Sequence, residues 1–173
     1  MFQIMVVEDD INARRLMQAV IEQNGYAAIP ASDGAEALAL MDKKHVDLIV
    51  LDVMMPHMDG YTLARELRSA GNNVPILMVT ARQSAKDKKE GFIAGTDDYM
   101  VKPVDEEEML WRIEALLRRY RSTAERRLTV GGTVLDRSSM QVITPGGVQQ
   151  LTAKEFMLLF KLLSYPRTLF TKR

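Results

Sequence analysis

The sequence predicts an α/β protein, a five-stranded doubly wound parallel sheet followed by a smaller β-sheet-and-helix unit. Three observations predict it. Short apolar runs alternate five times with stretches of helical periodicity over residues 1–120. Two runs, Leu48–Leu51 and Ile76–Val79, are apolar at every position, as strands buried on both faces are. Beyond residue 127 the apolar repeat shifts from about 3.6 residues to about 2, the mark of half-buried antiparallel strands.

Phe2–Val7 reads as the first strand, ended by Glu8, Asp9 and Asp10. Asn12–Gln23 follows as an amphipathic helix with Ala13, Leu16, Met17, Val20 and Ile21 on its apolar stripe, stopped by Asn24-Gly25. Tyr26–Pro30 is a short second strand. Asp33-Gly34 opens the next helix, with Ala35, Leu38, Ala39 and Met41 expected to face inward. The third strand, Leu48–Leu51, ends at Asp52, and Pro56 with Asp59-Gly60 makes a loop before the helix Tyr61–Arg68. The fourth strand, Ile76–Val79, ends in Thr80. A lysine-rich helix over 82–94 carries a weak apolar stripe of Ala85, Phe92 and Ile93 and stops at Gly95. Asp98–Val101 is a brief fifth strand, ended by Lys102-Pro103. Asp105–Arg119 has acids in its first turn and arginines in its last, as the helix dipole favours. Short crossovers between like elements force parallel pairing with helices on both faces.

The basic stretch near Arg118–Arg127 is expected to pass from that helix into a linker, residues 121–127. This gives three segments: 1–120, 121–127 and 128–173. In the last, Leu128–Val130, Thr133–Leu135, Met140–Ile143 and Val148–Leu151 read as strands separated by Gly- and Ser-containing turns. Thr152 and Glu155 form a capping-box signal for a helix that is expected to end near Tyr165-Pro166.

Composition narrows the function classes. There is no cysteine, so disulfides and thiolate metal sites are excluded. No apolar run is long enough to span a bilayer, no basic-then-apolar leader opens the chain, and a cytoplasmic location is expected. The formal charge of zero hides an asymmetry. Residues 1–119 hold 20 acidic and 14 basic side chains, a balance of −6, and residues 120–173 hold 3 and 9, a balance of +6. That split fits two functional units, the second suited to an anionic partner or simply well solvated.

In a parallel sheet every carboxyl strand end faces one edge, where open α/β sheets bind ligands. Asp52 alone reads equally as a ligand or a helix cap, Lys102 alone as a solvated lysine, and Thr80 alone as a cap. Together with Glu8, Asp9 and Asp10 they place acids, a hydroxyl and an ammonium at four strand ends. Clustered carboxylates repel, and burial raises their pKa unless a cation neutralises them; oxygen-only ligands suit Mg²⁺, which also takes phosphate oxygens. Such a set is a phosphoryl-transfer site, with Asp52 as nucleophile and Lys102 and Thr80 stabilising the transferring oxygens.

Four motifs, Val-Val-Glu-Asp-Asp (6–10), Leu-Asp-Val-Met-Met-Pro-His-Met-Asp-Gly (51–60), Val-Thr-Ala-Arg (79–82) and Gly-Thr-Asp-Asp-Tyr-Met-Val-Lys-Pro (95–103), carry a resemblance. Over its first 120 or so residues the chain resembles the flavodoxin-like receiver domain of two-component response regulators. The resemblance implies that Asp52 accepts a phosphoryl group from a sensor histidine kinase and that Glu8, Asp9, Asp52 and the main-chain carbonyl of Met54 hold Mg²⁺. It also implies a cis bond at Lys102-Pro103. Thr80 and Tyr99 would form the switch, against a plain reading of Tyr99 as a static half-buried aromatic. The charge pattern of the fifth helix resembles the OmpR/PhoB-type subfamily. That implies a homodimer through the fourth helix, fifth strand and fifth helix, with Lys88–Glu108, Asp98–Arg112 and Asp97–Arg119 paired across it. A solvated surface is the alternative.

Residues 128–166 resemble the start of that subfamily's winged-helix domain. Its DNA-reading helix and wing would lie beyond Arg173, so a truncated unit is expected, with promoter DNA a partner only where the domain is complete. A phosphate sink or dimerising inhibitor is the competing function. An aspartate-nucleophile phosphatase is disfavoured, because Met54 stands where such enzymes carry a second Asp.

Overall fold

The computed structural model describes residues 1–164, apart from the side chains of residues 122–125. The expected helix end at Tyr165-Pro166 lies outside the described residues. Two compact units divide the chain, residues 1–118 and 119–173.

The first unit is built on β1 (Gln3–Val7), β2 (Ala27–Ala31), β3 (Leu48–Leu51), β4 (Ile76–Thr80) and β5 (Asp98–Val101). All four pairings are parallel, in the order β2-β1-β3-β4-β5. From β1 the chain first winds outward to β2, then crosses back to β3, so the winding reverses between β1 and β3. Alternation along each strand decides which face each residue serves. Met5, Val7, Ile49, Leu51, Ile76 and Met78 pack with α2 (Gly34–Met41), α3 (Gly60–Ser69) and α4 (Ala85–Ala94). Ile4, Val6, Leu48, Val50, Leu77 and Val79 pack with α1 (Ile11–Gln23) and α5 (Glu106–Arg126).

Helix starts are written locally. Asp10, Asp33 and Asp59 each accept from the backbone amide three residues on, at 2.7–2.8 Å, and Ser84 does the same for α4 at 3.0 Å. These bonds satisfy amides that the helix itself leaves unpaired. Ser84, not Thr80, caps α4, and that helix starts at Ala85 rather than at 82.

Other expectations fail as well. In α1, Met17, Val20 and Ile21 are buried, but Leu16, expected on the apolar stripe, is 48% exposed. In α2 the inward residues are Gly34 and Ala37, with Leu38, Leu40 and Met41 half-buried, while Ala35 and Ala39 are exposed. Alanines on every side of a short helix give the sequence no phase. In α4, Gly91 and Ala94 are buried, but Phe92 and Ile93 are 53% and 72% exposed. The Tyr99 ring lies against Gly91, where a Cβ would stand 3.1 Å from Cε2, so the helix rests on its small residues. Finally, α5 runs to Arg126 and the next strand begins at Arg127, so residues 121–126 of the expected linker are helical. Nothing in 119–126 breaks a helix, since Gly and Pro are absent. On α5, Trp111 is 65% exposed while Met109, Ile113, Leu116 and Leu117 are buried.

The second unit is an antiparallel sheet of β6 (Arg127–Val130), β7 (Thr133–Asp136), β8 (Gln141–Thr144) and β9 (Gly147–Gln150), paired in chain order, then α6 (Ala153–Ser164). Glu155 accepts from the Thr152 amide at 2.9 Å, the reach-back half of the capping box. Among its described residues, Leu135 and Phe156 are the fully buried apolar ones.

Gly60 connects fold to site. A Cβ there would lie 2.3 Å from the Asp52 carbonyl oxygen, which is backbone and cannot step aside. Gly60→Ala is therefore expected to cost about 1–3 kcal/mol. Urea unfolding measures it, and an unchanged midpoint would show that the loop after β3 yields freely.

Candidate functional site

β1 and β3 are neighbours, with Val7 set opposite Leu51. The next residues, Glu8 and Asp52, therefore leave adjacent strands at the same level. Lys102 follows β5, and Thr80 closes β4 opposite Val101. The carboxylate oxygens of Glu8, Asp9 and Asp52 lie within 4.8 Å of one another. The Lys102 ammonium donates to Glu8 Oε2 at 2.7 Å and to Asp52 Oδ2 at 3.0 Å. The acids and the amine thus converge from positions 94 and 50 residues apart. Thr80 is fully buried at the end of β4, and its Oγ1 accepts from the Arg82 amide at 3.3 Å. The Met54 amide donates to Asp52 Oδ1 at 3.3 Å, and its side chain is 55% exposed. The Lys102–Pro103 peptide bond is cis.

Electrostatics follow from that crowding. Glu8 is almost wholly buried, and burial pushes its pKa up; the nearby Asp52 charge adds to the rise, while the bond from Lys102 opposes it. Burial acts to lower Lys102, but its bonds to Glu8 and Asp52 win and hold it above its ordinary value. One ammonium faces three carboxylates, so the edge keeps an excess of negative charge. Carboxylate oxygens this close, with no His or Cys among them, fit a hard divalent cation such as Mg²⁺.

A second group flanks the acids. The buried Tyr99 hydroxyl donates to the Arg82 carbonyl at 2.8 Å. Tyr61, on α3, donates to the Asp87 carbonyl at 3.0 Å. Burial, then the contact with Tyr61, pushes the Tyr99 hydroxyl well above its usual range. Arg82 Nε reaches Met54 Sδ at 3.3 Å and its Nη1 reaches Asp87 at 3.4 Å. Tyr99 thus fastens the segment between β4 and α4, and Tyr61 the first turn of α4. Sequence reasoning missed Tyr61. Its signal was an aromatic hydroxyl on the inward side of a helix start.

Four of the residues expected to pair across a dimer, Asp97, Asp98, Glu108 and Arg112, have partners within one chain. Arg112 bonds Asp98 at 2.8 Å and Glu108 at 2.7 Å. Asp97 is held by Arg68 at 2.9 Å and by the Ile76 amide at 2.8 Å. Asp98 opens β5 and Arg112 lies on the following helix, which puts the guanidinium within reach. Lys88 and Arg119 are exposed.

A raised Glu8 pKa has a definite sign. Above 4.5 the folded state holds that proton longer than the unfolded state, so stability present at lower pH is lost as pH rises through the folded value. The stability gap between Glu8→Gln and the natural protein, both metal-free, is expected to move in favour of the variant as pH rises above 4.5. Denaturant melts across a pH series check this; a difference that moves in favour of the natural protein, or does not move, would contradict the burial argument.

The model of the response regulator receiver domain matches residues 4–114. The heme response regulator HssR of Staphylococcus epidermidis is 35% identical over 172 residues, which is 99% of this chain and 76% of that one. HssR of a Staphylococcus aureus strain is 36% identical over the same shares. Among solved structures, the receiver domain of the Francisella response regulator 1452 matches 69% of this chain and 99% of its own, at a TM-score of 0.67 and 35% identity. DrrB of Thermotoga maritima, an OmpR/PhoB homologue, matches 94% of this chain and 72% of its own, at 0.63 and 28%. With fold, edge geometry and relatives agreeing, the chain belongs to the response regulators and opens with their receiver domain.

Proposed function

We propose that the chain is the phosphoacceptor of a two-component phosphorelay. A sensor histidine kinase donates, and Asp52 accepts. An Asp52 carboxylate oxygen attacks phosphorus, the donor's phosphorus–nitrogen bond breaks, and its electron pair stays on the imidazole. The observation that carries this reading is the Lys102 ammonium within hydrogen-bond distance of both Glu8 and Asp52. Lys102 and Thr80 would steady the charge on the transferring oxygens. Glu8, Asp9, Asp52 and the Met54 main-chain carbonyl would hold Mg²⁺, which when bound offsets that same charge. Self-catalysed transfer to one aspartate, rather than turnover of a diffusing substrate, sets the chain apart from an enzyme.

The switch would act through Thr80 and Tyr99. Phosphate can only bias an equilibrium by its differential affinity for the two arrangements. The inward Tyr99, bonded to the Arg82 carbonyl, supports a link between the β4 end and α4. Output would run through a homodimer on the α4-β5-α5 face, with Lys88, Asp97, Asp98, Glu108, Arg112 and Arg119 on it. The reading extends to a cytoplasmic regulator that binds promoter DNA when its winged-helix domain is complete. No helix among the described residues is long and apolar enough to cross a membrane.

Incubation with a small phosphodonor and Mg²⁺, followed by intact mass measurement, tests the centre. One phosphoryl group per chain is expected, and none on Asp52→Asn; uptake by that variant would overturn the assignment. Met54 and Arg82 flank the site, and the guanidinium is already engaged by Met54 Sδ and Asp87. Neither then orients an attacking water, so slow self-dephosphorylation is expected. A half-life of seconds would contradict it.

A further inference from the structure

Arg14 lies in the first turns of α1, yet its guanidinium turns back to the end of β1. Its Nη1 donates to the Glu8 carbonyl and, at 3.3 Å, to the Asp9 carbonyl. These two residues are where sheet pairing ends. Glu8 still donates its amide to the Ala31 carbonyl at 3.1 Å, and the Asp10 amide folds back on Glu8 Oε1 at 3.1 Å. The Asp9 carboxylate makes no hydrogen bond of its own among the described residues, although it is one of the three converging acids. What sets its position is the backbone beneath it, and Arg14 holds that backbone on both sides.

We propose that Arg14 is a positioning residue for the divalent-cation site. It acts through the Glu8 and Asp9 carbonyls to fix where the Asp9 carboxylate points, and touches neither the cation nor the phosphoryl group. The inference rests on the Mg²⁺ reading above. The sign of the effect separates positioning from charge. An added positive charge beside a cation site repels the cation, so removing Arg14 would tighten Mg²⁺ binding if charge were its only influence. Removing a group that orients a ligand weakens binding, typically by 10-fold or more for such outer partners.

The test is Mg²⁺ titration calorimetry on the full chain, beside thermal unfolding of the metal-free proteins. Arg14→Ala is expected to raise the Mg²⁺ dissociation constant by about 10-fold while the metal-free protein keeps a cooperative melt. Arg14→Lys, which keeps the charge but has a single donor group, is expected to fall between the two. Wild-type or tighter binding by Arg14→Ala overturns the proposal, as does a lowered melting temperature with unchanged affinity. If Arg14→Ala does not fold, Arg14→Lys decides, and an unchanged dissociation constant there overturns it equally. A natural protein that takes up no Mg²⁺ overturns the cation reading itself, an outcome distinct from equal binding by both proteins.

Discussion

In the register that sets Val7 opposite Leu51, Glu8 and Asp52 emerge from neighbouring strands on the same edge. A slip of one residue would send Leu51 and Ile49 to the α1–α5 side and turn Asp52 away from Glu8. Burial of every residue of β3 forbids that slip, because both faces already carry tightly packed apolar side chains. The chemistry at the edge therefore depends on a hydrophobic constraint one residue away. Once it is met, two acids are forced together in a poorly solvated place, and Lys102 is the group that makes the arrangement tolerable. Its double hydrogen bond offsets part of a repulsion that the strands impose.

Much of this edge could be read from the sequence, because apolar runs that end in a polar residue mark both the strand and its carboxyl end. Asp52 after Leu51 and Lys102 after Val101 are both legible in that way. The helix entries at Asp33 and Asp59 were legible too, while Asp10, read with the strand-end acids, caps α1. What failed was phase and length. Ala35, Ala37 and Ala39 look alike to any apolar count, and only packing against β1 and β2 selects Ala37. Phe92 and Ile93 look like an inward stripe, until the Tyr99 ring takes the space beside Gly91. The end of α5 has no breaker to announce it. Contacts from side chain to carbonyl, such as Tyr61 to Asp87 or Arg14 to Glu8, leave no spacing signal, because any carbonyl would serve.

On the α4-β5-α5 side, local satisfaction would constrain the proposed dimer. Asp98 and Glu108 share one guanidinium, and Arg68 holds Asp97. Pairs across a dimer would have to exchange these bonds rather than add to them. Half-exposed ion pairs are worth only about 0–1 kcal/mol each, so exchange is nearly neutral. Specific register could come from such pairs, and the driving force would have to come from apolar surface such as Phe92.

Trp111 is the sole tryptophan and it projects from α5 into solvent. Its indole already sits in water in the folded chain, so its emission colour should change little when the core melts. The same residue becomes a native optical reporter for anything that covers α5, with no label added. A blue shift there would register docking rather than folding, and the two events could be followed separately in one cuvette.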